Sequence, residues 1–376
     1  MPSLSSSTRR TRPAGSALGR LVEPLVQPGI FDFWVGHLNP AWSWERPLAR
    51  VVERRVEAAD TVTLVLKPNR HCGSFKPGQH VNLSAEVNGR RVTRSYSYTG
   101  TPQTKGPNKG LLSFTIKRTE GGRLSTHLCR DLREGDVLEL GEAFGEMTLP
   151  AQPQGQWLFL AAGSGITPLM SLTRALVAQQ MPVDLTLIYW AKTRAELCFL
   201  LELRQLAANQ PRFKLHTVLT HEAQLLAGEH RGFISAEQLQ ELVGDLSARQ
   251  VYACGPGGFV DTARELTAGI ARSFMAEGFT PSAPAVDPSE LKDVRVTLLK
   301  SGRELTVSNG TSLLDALEAQ GLNPKSGCRM GICHSCVCTK HSGTVQDMHT
   351  KDIDAEGDTP VRICVSRATT DVSLDL

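Results

Sequence analysis

Four cysteines carry the most specific chemistry in the chain. Cys328, Cys333 and Cys336 lie in Ser-Gly-Cys-Arg-Met-Gly-Ile-Cys-His-Ser-Cys, and Cys364 follows in Val-Arg-Ile-Cys-Val-Ser. Cys-x4-Cys-x2-Cys with a distant fourth thiolate is a spacing that ligates a 2Fe-2S cluster. Two irons need four thiolates, and a short loop containing Gly327 and Gly331 can wrap three of them, because backbone must approach the inorganic sulfurs closely and adopt positive φ. A structural zinc site is the alternative, but it normally uses paired Cys-x2-Cys spacings and only one pair here has that spacing. Cys338 alternates with Cys336 along Cys-Val-Cys-Thr, which reads as the strand after the loop, and is not expected to be a ligand.

Two glycine-rich turns carry a second kind of chemistry. The apolar run 156–162 leads into Gly163-Ser164-Gly165-Ile166-Thr167-Pro168, after which Leu169, Leu172, Leu176 and Val177 recur at helical spacing. Thr167 is expected to cap that helix and Pro168 to take its first position. Such a turn offers bare backbone N–H groups and a positive dipole end to a pyrophosphate, although a tight structural turn also accounts for Gly-x-Gly. The second turn, Cys254-Gly255-Pro256-Gly257-Gly258-Phe259, follows the run 250–253. Lys192 and Arg194 follow the run 184–190, where a ribose 2′-phosphate would lie, and no acid there suits a 2′-hydroxyl. The expected dinucleotide is therefore NADPH rather than NADH, with solvated surface charges as the alternative for both cations.

A third constellation is Arg94-Ser95-Tyr96-Ser97, joined by Gly121-Gly122-Arg123-Leu124-Ser125-Thr126. A guanidinium grips phosphate bidentately, an aromatic ring covers a flat heterocycle, and a hydroxyl tunes a redox atom.

The elements needed to position these groups are legible in the periodicity. Over 46–150 the runs 61–66, 80–83 and 111–118 are short and alternating, with Pro-Gly and Asn-Gly turns between, as in a small antiparallel barrel. Over 151–280, strand-like runs at 156–162, 184–190, 213–219 and 250–253 alternate with helical segments, one of them starting near Ala195. That order indicates a parallel sheet with helices on both faces, whose ligands lie beyond the carboxyl ends of the strands. Residues 281–292 have the Pro- and Ser-rich composition of a connector. From 293 to 376 a hairpin (294–299 and 303–307), a helix capped by Ser312 and Asp315 and ended by Gly321, the cysteine loop and a final strand follow.

With these residues in view, the chain resembles the ferredoxin-reductase-like flavoproteins that carry a C-terminal plant-type ferredoxin of β-grasp fold. The resemblance covers 46–376. It implies that Arg94 pairs with the flavin phosphate, Tyr96 packs on the isoalloxazine, Ser97 reaches the N5 edge, and Gly122, Leu124, Ser125 and Thr126 form the pyrophosphate segment that distinguishes FAD from FMN. It further implies that Gly163, Gly165, Thr167, Pro168, Lys192, Arg194, Gly255 and Pro256 hold NAD(P)H, with Cys254 beside the nicotinamide. Ser97 and Cys254 are thus the expected catalytic residues. Phe279 resembles the terminal aromatic that neighbours the flavin, with ordinary packing as the alternative. His80 and His127 read as structural, since hydride transfer needs orientation more than proton transfer.

Composition agrees with a multidomain enzyme: 376 residues, 40% hydrophobic, 21% charged and a net charge of +3 argue against a nucleic-acid binder. The apolar runs have strand length, short of the roughly 20 residues of a membrane span. The first 22 residues, rich in Ser and Arg with no acid before Glu23, read as a disordered tail rather than a transit peptide or secretory signal. Residues 1–45 lie outside the three modules, and the segment 31–44 holds three of the five tryptophans, which suits a membrane interface, a docking face or packing onto the barrel.

The resemblance implies transfer of electrons from NADPH through FAD and the 2Fe-2S cluster to a partner protein, since nothing in the chain looks like an oxygen-activating iron site. By similarity of the N-terminal region, the expected partner is a membrane di-iron fatty-acid desaturase, with a cytoplasmic location at the inner membrane face and peripheral membrane contact through that partner. A soluble hydroxylase as partner, or a non-catalytic redox sensor, are the alternatives.

Overall fold

A computed structural model describes residues 28–376 apart from 104–105, 107–108, 281–290 and 349. The tail expected over 1–22, and the connector expected over 281–292 save its last two residues, lie outside the described residues.

The first helix, α1 (Pro28–Leu38), is tied down by one acid: Asp32 accepts from Ser43 Oγ at 2.8 Å and from the Trp44 amide at 2.7 Å. Phe31 packs edge-on against Trp44, 5.1 Å between ring centres, so part of the aromatic segment turns inward.

The next strands, several of them buried on both faces, form an antiparallel sheet. They are β1 (Leu48–Ala58), β2 (Thr61–Pro68), β3 (His80–Val87), β4 (Arg90–Ser97), β5 (Leu112–Lys117) and β6 (Val137–Phe144), with α2 (Arg123–Arg130) between the last two. The order β4-β3-β6-β1-β2-β5 is closed by a bridge between Tyr98, just past β4, and Phe114 on β5. Leu64, Leu66, Val81, Leu83, Phe114 and Ile116 face a common core that Leu124 and Leu128 of α2 plug from one end, each such side chain contributing about 1.5–3 kcal/mol by burial.

A parallel sheet follows, built from β7 (Gln156–Ala162), α3 (Ile166–Ala178), β8 (Asp184–Ala191), α4 (Leu200–Asn209), β9 (Phe213–Leu219), β10 (Glu229–Arg231), α5 (Ala236–Leu242), β11 (Arg249–Gly255), α6 (Gly257–Thr267) and β12 (Ser273–Gly278). The strand order is β10-β9-β8-β7-β11-β12. In β7, Trp157, Phe159 and Ala161 enter one core and Leu158, Leu160 and Ala162 the other, which is why the strand reads as a continuous apolar run. The helix expected from Ala195 starts later, at Leu200. Residues 194–196 form a 3-10 turn, Leu197, Cys198 and Phe199 are buried, and Phe199, at φ +59°, donates its amide to Glu57 at 3.0 Å.

The last module contains β13 (Asp293–Leu298), β14 (Arg303–Ser308), α7 (Leu313–Ala319), β15 (Val337–Ser342), β16 (Val345–Asp347), β17 (Ile353–Asp354), β18 (Thr359–Arg362), β19 (Ser366–Ala368) and β20 (Val372–Leu374). The mixed sheet runs β14-β13-β20-β15-β18, and Leu313, Leu314 and Leu317 bury α7 beside it. Ser312 caps α7 by accepting from the Asp315 amide at 3.1 Å. Among the described residues no helix is long and apolar enough to cross a membrane.

Candidate functional site

The strand β4 presents Arg94, Tyr96 and Ser97. Arg94 is half-buried; its Nη1 donates to the Thr93 carbonyl at 2.7 Å, and no carboxylate among the described residues forms an ion pair with it. Burial first, then the nearby Arg329 cation, lowers its pKa, as for a guanidinium awaiting an anion. Ser97 is buried and its Oγ has no hydrogen-bond partner. A buried hydroxyl without a partner costs free energy unless a ligand supplies one. Tyr96 is largely covered, and burial raises its phenol pKa. Across from these residues, α2 begins at Arg123 with Gly122 as its N-cap; no side chain caps the helix, and its first turn holds no acid. Ser125 Oγ is turned back to accept from the Thr119 amide at 3.1 Å, and Leu124 is buried. The uncapped amides of Arg123, Leu124 and Ser125 together with Arg94 fit a diphosphate, and Ser97 fits a ring acceptor such as that of FAD.

The two glycine-rich turns meet where the order of the parallel sheet reverses, between β7 and β11. A Cβ on Gly165 would lie 1.9 Å from the Cys254 carbonyl oxygen, so no side chain is tolerated there. Tyr189 Oη donates to the Gly163 carbonyl at 3.1 Å and fixes the turn. The expected cap differs: residues 163–165 are a 3-10 turn, α3 starts at Ile166 with Gly165 as N-cap, and Pro168 is its third residue. Thr167 Oγ1 instead donates to the Ser164 carbonyl at 2.9 Å, since the 3-10 turn brings that carbonyl within reach. Cys254 is wholly buried, and burial first, then Glu277, holds its thiol protonated. Gly255 accepts from the Phe279 amide at 2.8 Å, and Pro256 caps α6.

The pair of cations expected at the 2′-phosphate separates. Lys192 is exposed and in no ion pair among the described residues. Arg194 is occupied: Nε and Nη2 each bind Glu229 at 2.7 Å, and its amide donates to Glu222 at 2.7 Å. A bidentate carboxylate pair leaves that guanidinium no free edge for phosphate.

Residues 277–279, at and just past the end of β12, lie where all three modules approach one another, and sequence reasoning named only Phe279. Glu277 Oε2 lies 3.1 Å from His80 Nε2 on β3, but without hydrogen-bond alignment. His80 faces Ser97 across the β3–β4 ladder. Burial drives the two groups apart, Glu277 up to about 7 and His80 down to about 4. A Cβ on Gly278 would be 3.6 Å from Met330 Cε of the cysteine loop. Phe279 is bound to Gly255 and meets His80 edge-on at 6.0 Å. An acid in the otherwise apolar run Phe274-Met275-Ala276-Glu277-Gly278-Phe279 was the available signal. His127, by contrast, pairs only with exposed Asp131, at 3.4 Å.

The cysteine loop lies between α7 and β15. A Cβ on Gly327 would be 2.8 Å from Cys333 Sγ, and Gly331 has φ +73°, so both glycines are required. The thiols form two pairs. Cys328 bonds Cys333, whose pKa falls to about 4 while that of Cys328 rises; Cys336 and Cys364 have their Sγ atoms 3.1 Å apart, the former lowered to about 7 by its partner and the latter raised. Backbone amides of Cys328, Met330 and Cys333 point at sulfur at 3.1–3.3 Å, as thiolates favour. Two pairs suit two irons with two thiolates each. Among the described residues no three His, Cys, Asp or Glu side chains converge as for a single ion. Cys338 lies apart on β15, opposite Val361, where burial raises its thiol to about 12. The loop rests on the barrel: Asn82 Nδ2 reaches Ser335 Oγ at 3.5 Å while Asn82 Oδ1 accepts from Ser95 at 2.5 Å.

Comparison with known proteins agrees with this three-part arrangement. Family models for an oxidoreductase FAD-binding domain, an oxidoreductase NAD-binding domain and a 2Fe-2S iron-sulfur cluster binding domain match residues 48–148, 159–265 and 296–369. An NADPH oxidoreductase of Mycobacterium tuberculosis is 34% identical over 98% of this chain and 96% of its own length. A glycine betaine monooxygenase reductase subunit of Pseudomonas aeruginosa is 29% identical over 85% and 93%. Phthalate dioxygenase reductase shares the fold, with a TM-score of 0.57 and 24% identity over 88% of this chain and 97% of that one. The chain thus belongs to the ferredoxin-reductase-like flavoproteins with a C-terminal plant-type 2Fe-2S domain, and is an NAD(P)H-dependent oxidoreductase with FAD and a 2Fe-2S cluster as its cofactors.

Proposed function

We propose that the protein is the NADPH-dependent reductase of an oxygen-activating partner, and that the partner is a membrane di-iron fatty-acid desaturase at the cytoplasmic face of the membrane. When bound, FAD would turn a hydride into single electrons and the 2Fe-2S cluster would relay them singly. The chain's own residues divide the remaining work. Arg94 and the free amides of Arg123, Leu124 and Ser125, in the segment Gly122–Thr126, anchor phosphate, Tyr96 covers the ring, and Ser97 donates to it. Gly163, Gly165, Thr167, Pro168, Gly255 and Pro256 shape the dinucleotide cleft, and Cys254 supplies a neutral, close-packed wall. Lys192 is the remaining candidate for the 2′-phosphate. Cys328, Cys333, Cys336 and Cys364 hold the cluster.

The observation that carries this proposal is the end of β12, where Glu277 meets the flavin strands, Gly278 the cysteine loop and Phe279 the nucleotide turn. Contact of all three modules at one tripeptide supports transfer within one chain. Preference for NADPH is supported by Lys192 and by the mycobacterial relative, which is named an NADPH oxidoreductase. A second partner reading, a soluble oxygenase, is favoured by relatives named as reductase components of glycine betaine monooxygenase and 3-ketosteroid-9-alpha-monooxygenase. Anaerobic mixing with NADPH should bleach the flavin before the cluster. Oxidation of the reduced protein by detergent-extracted desaturase, faster than by a soluble oxygenase, is the expected result; the reverse order of rates would sink the membrane partner while leaving the reductase intact.

A further inference from the structure

We propose that the outward face of α1 and the basic cleft beside it dock this enzyme directly on an anionic phospholipid bilayer. The proposal goes beyond the choice of electron acceptor and holds for a membrane-bound or a soluble one.

The helix is inverted relative to one that packs by its apolar stripe. Phe31, Asp32, Val35 and Gly36 turn toward the protein, whereas Phe33, Trp34, His37 and Leu38 turn outward. Phe33 is 60% exposed, Trp34 67% and Leu38 79%, and Trp42, just past the helix, is 54% exposed. Phe33 meets Trp34 at 5.3 Å and His37 at 4.9 Å, so the three rings form one plate. A surface helix normally hides such residues. A contiguous exposed patch of them marks an interaction surface, and indole rings are suited to the headgroup level of a bilayer.

Charge identifies the occupant. A cleft of about 460 Å³ beside the helix is lined by Phe31, Trp42, Arg50, Lys67, Arg70 and His71 among others. Arg50 and Lys67 make no ion pair among the described residues, and Arg70 Nε contacts only His71 Nε2, at 3.2 Å. The one acid of α1, Asp32, faces inward and accepts from Ser43 and Trp44, and exposed Glu45 is the next acid after the helix. The sequence before the helix has the same sign, with Arg9, Arg10, Arg12 and Arg20 against Glu23. An acidic protein would answer the cations but leave the ring plate in water, and a neutral bilayer would do the opposite. Anionic lipid answers both, with phosphates at the cleft and rings at the interface, and two weak signals together give stable attachment.

The test uses the full chain loaded with FAD and cluster, sedimented with vesicles of phosphatidylcholine alone or mixed with phosphatidylglycerol. Binding should require phosphatidylglycerol, shift the tryptophan emission to the blue, and weaken by about tenfold as salt rises from about 0.05 to about 0.5 M. Phe33→Ser with Trp34→Ser, and separately Lys67→Glu with Arg70→Glu, should each weaken binding by about tenfold or more. Both pairs should keep the wild-type rate of NADPH-dependent ferricyanide reduction. Absence of binding to the mixed vesicles overturns the proposal. So does wild-type vesicle binding by both pairs, and if those pairs also lose turnover with the protein acceptor, the face docks that acceptor instead.

Discussion

Two glutamates sit at opposite edges of the parallel sheet and are pushed in opposite directions. On β10, Glu229 has a side chain 1% exposed and accepts from Arg194, from Arg204 at 3.3 Å and from the Leu226 amide at 2.9 Å. Its pKa falls to about 2, the Arg194 hydrogen bonds being the largest cause. On β12, Glu277 is 9% exposed, faces a histidine that burial keeps neutral, and rises to about 7. Two carboxyls shielded from solvent are therefore pushed in opposite directions, one held as an anion and the other raised to about 7. The partners decide, because a desolvated carboxylate persists only where donors or cations replace water. Glu229 welds the edge strand β10 to the turn after β8 and to α4, whereas Glu277 is poised to exchange a proton where the modules meet.

The largest expected effect breaks the weld. Arg194→Ala should destabilise the nucleotide module and lower its Tm by about 5 °C, because Glu229 then keeps only the partly exposed Arg204 and the Leu226 amide as partners. Calorimetry checks this, and the KM for NADPH should hardly move. A normal Tm with a greatly raised KM would restore Arg194 to the 2′-phosphate.

The pH dependence of stability should have opposite signs at the two sites. Glu229 is lowered, so its contribution is complete above pH 4.5 and is lost as pH falls toward about 2. Glu277 is raised: an unfolded chain releases this proton above pH 4.5 and the folded one only near 7, so the group increasingly opposes folding across that window. His80, lowered to about 4, adds an acid-side loss between pH 6.5 and 4 that both proteins compared below share. Glu277→Gln should accordingly be more stable than wild type by about 3 kcal/mol at pH 8 and equal to it near pH 4.5, as read from urea midpoints at the two pH values. A variant that is less stable at pH 8 would mean that Glu277 is ionised and paired.

The same variant should flatten the pH profile of flavin reduction by NADPH around 7, because it removes a group at the module junction that titrates there. Stopped-flow absorbance distinguishes this from a packing role, which would lower the rate equally at every pH. The smallest effect belongs to Lys192→Ala, expected to raise the KM for NADPH about threefold and leave NADH unchanged, as for one exposed charge on a phosphate. Steady-state kinetics with both dinucleotides measures it.

What could be read along the chain was whatever depends on local spacing. The interval between Cys328, Cys333 and Cys336, the apolar run 156–162 leading into Gly163, and the alternation of 61–66 and 80–83 each encode a loop, a strand or a face within a few residues, and the fold class follows from their order. Helix starts were less legible: Thr167 and Ala195 yielded to a 3-10 turn and to the buried segment 197–199, because tertiary burial outweighed local capping preference. The fate of charges could not be read at all. Nothing near Arg194 in sequence announces Glu229, 35 residues away and claiming it from β10, two strands over from β8, and nothing near Glu277 announces His80, which only the docking of barrel on sheet brings to 3.1 Å. Residue identity and spacing determine which groups the chain owns. Whether a group is an anion, a neutral acid or a free cation depends on desolvation and on partners distant in sequence, and only the tertiary structure decides that.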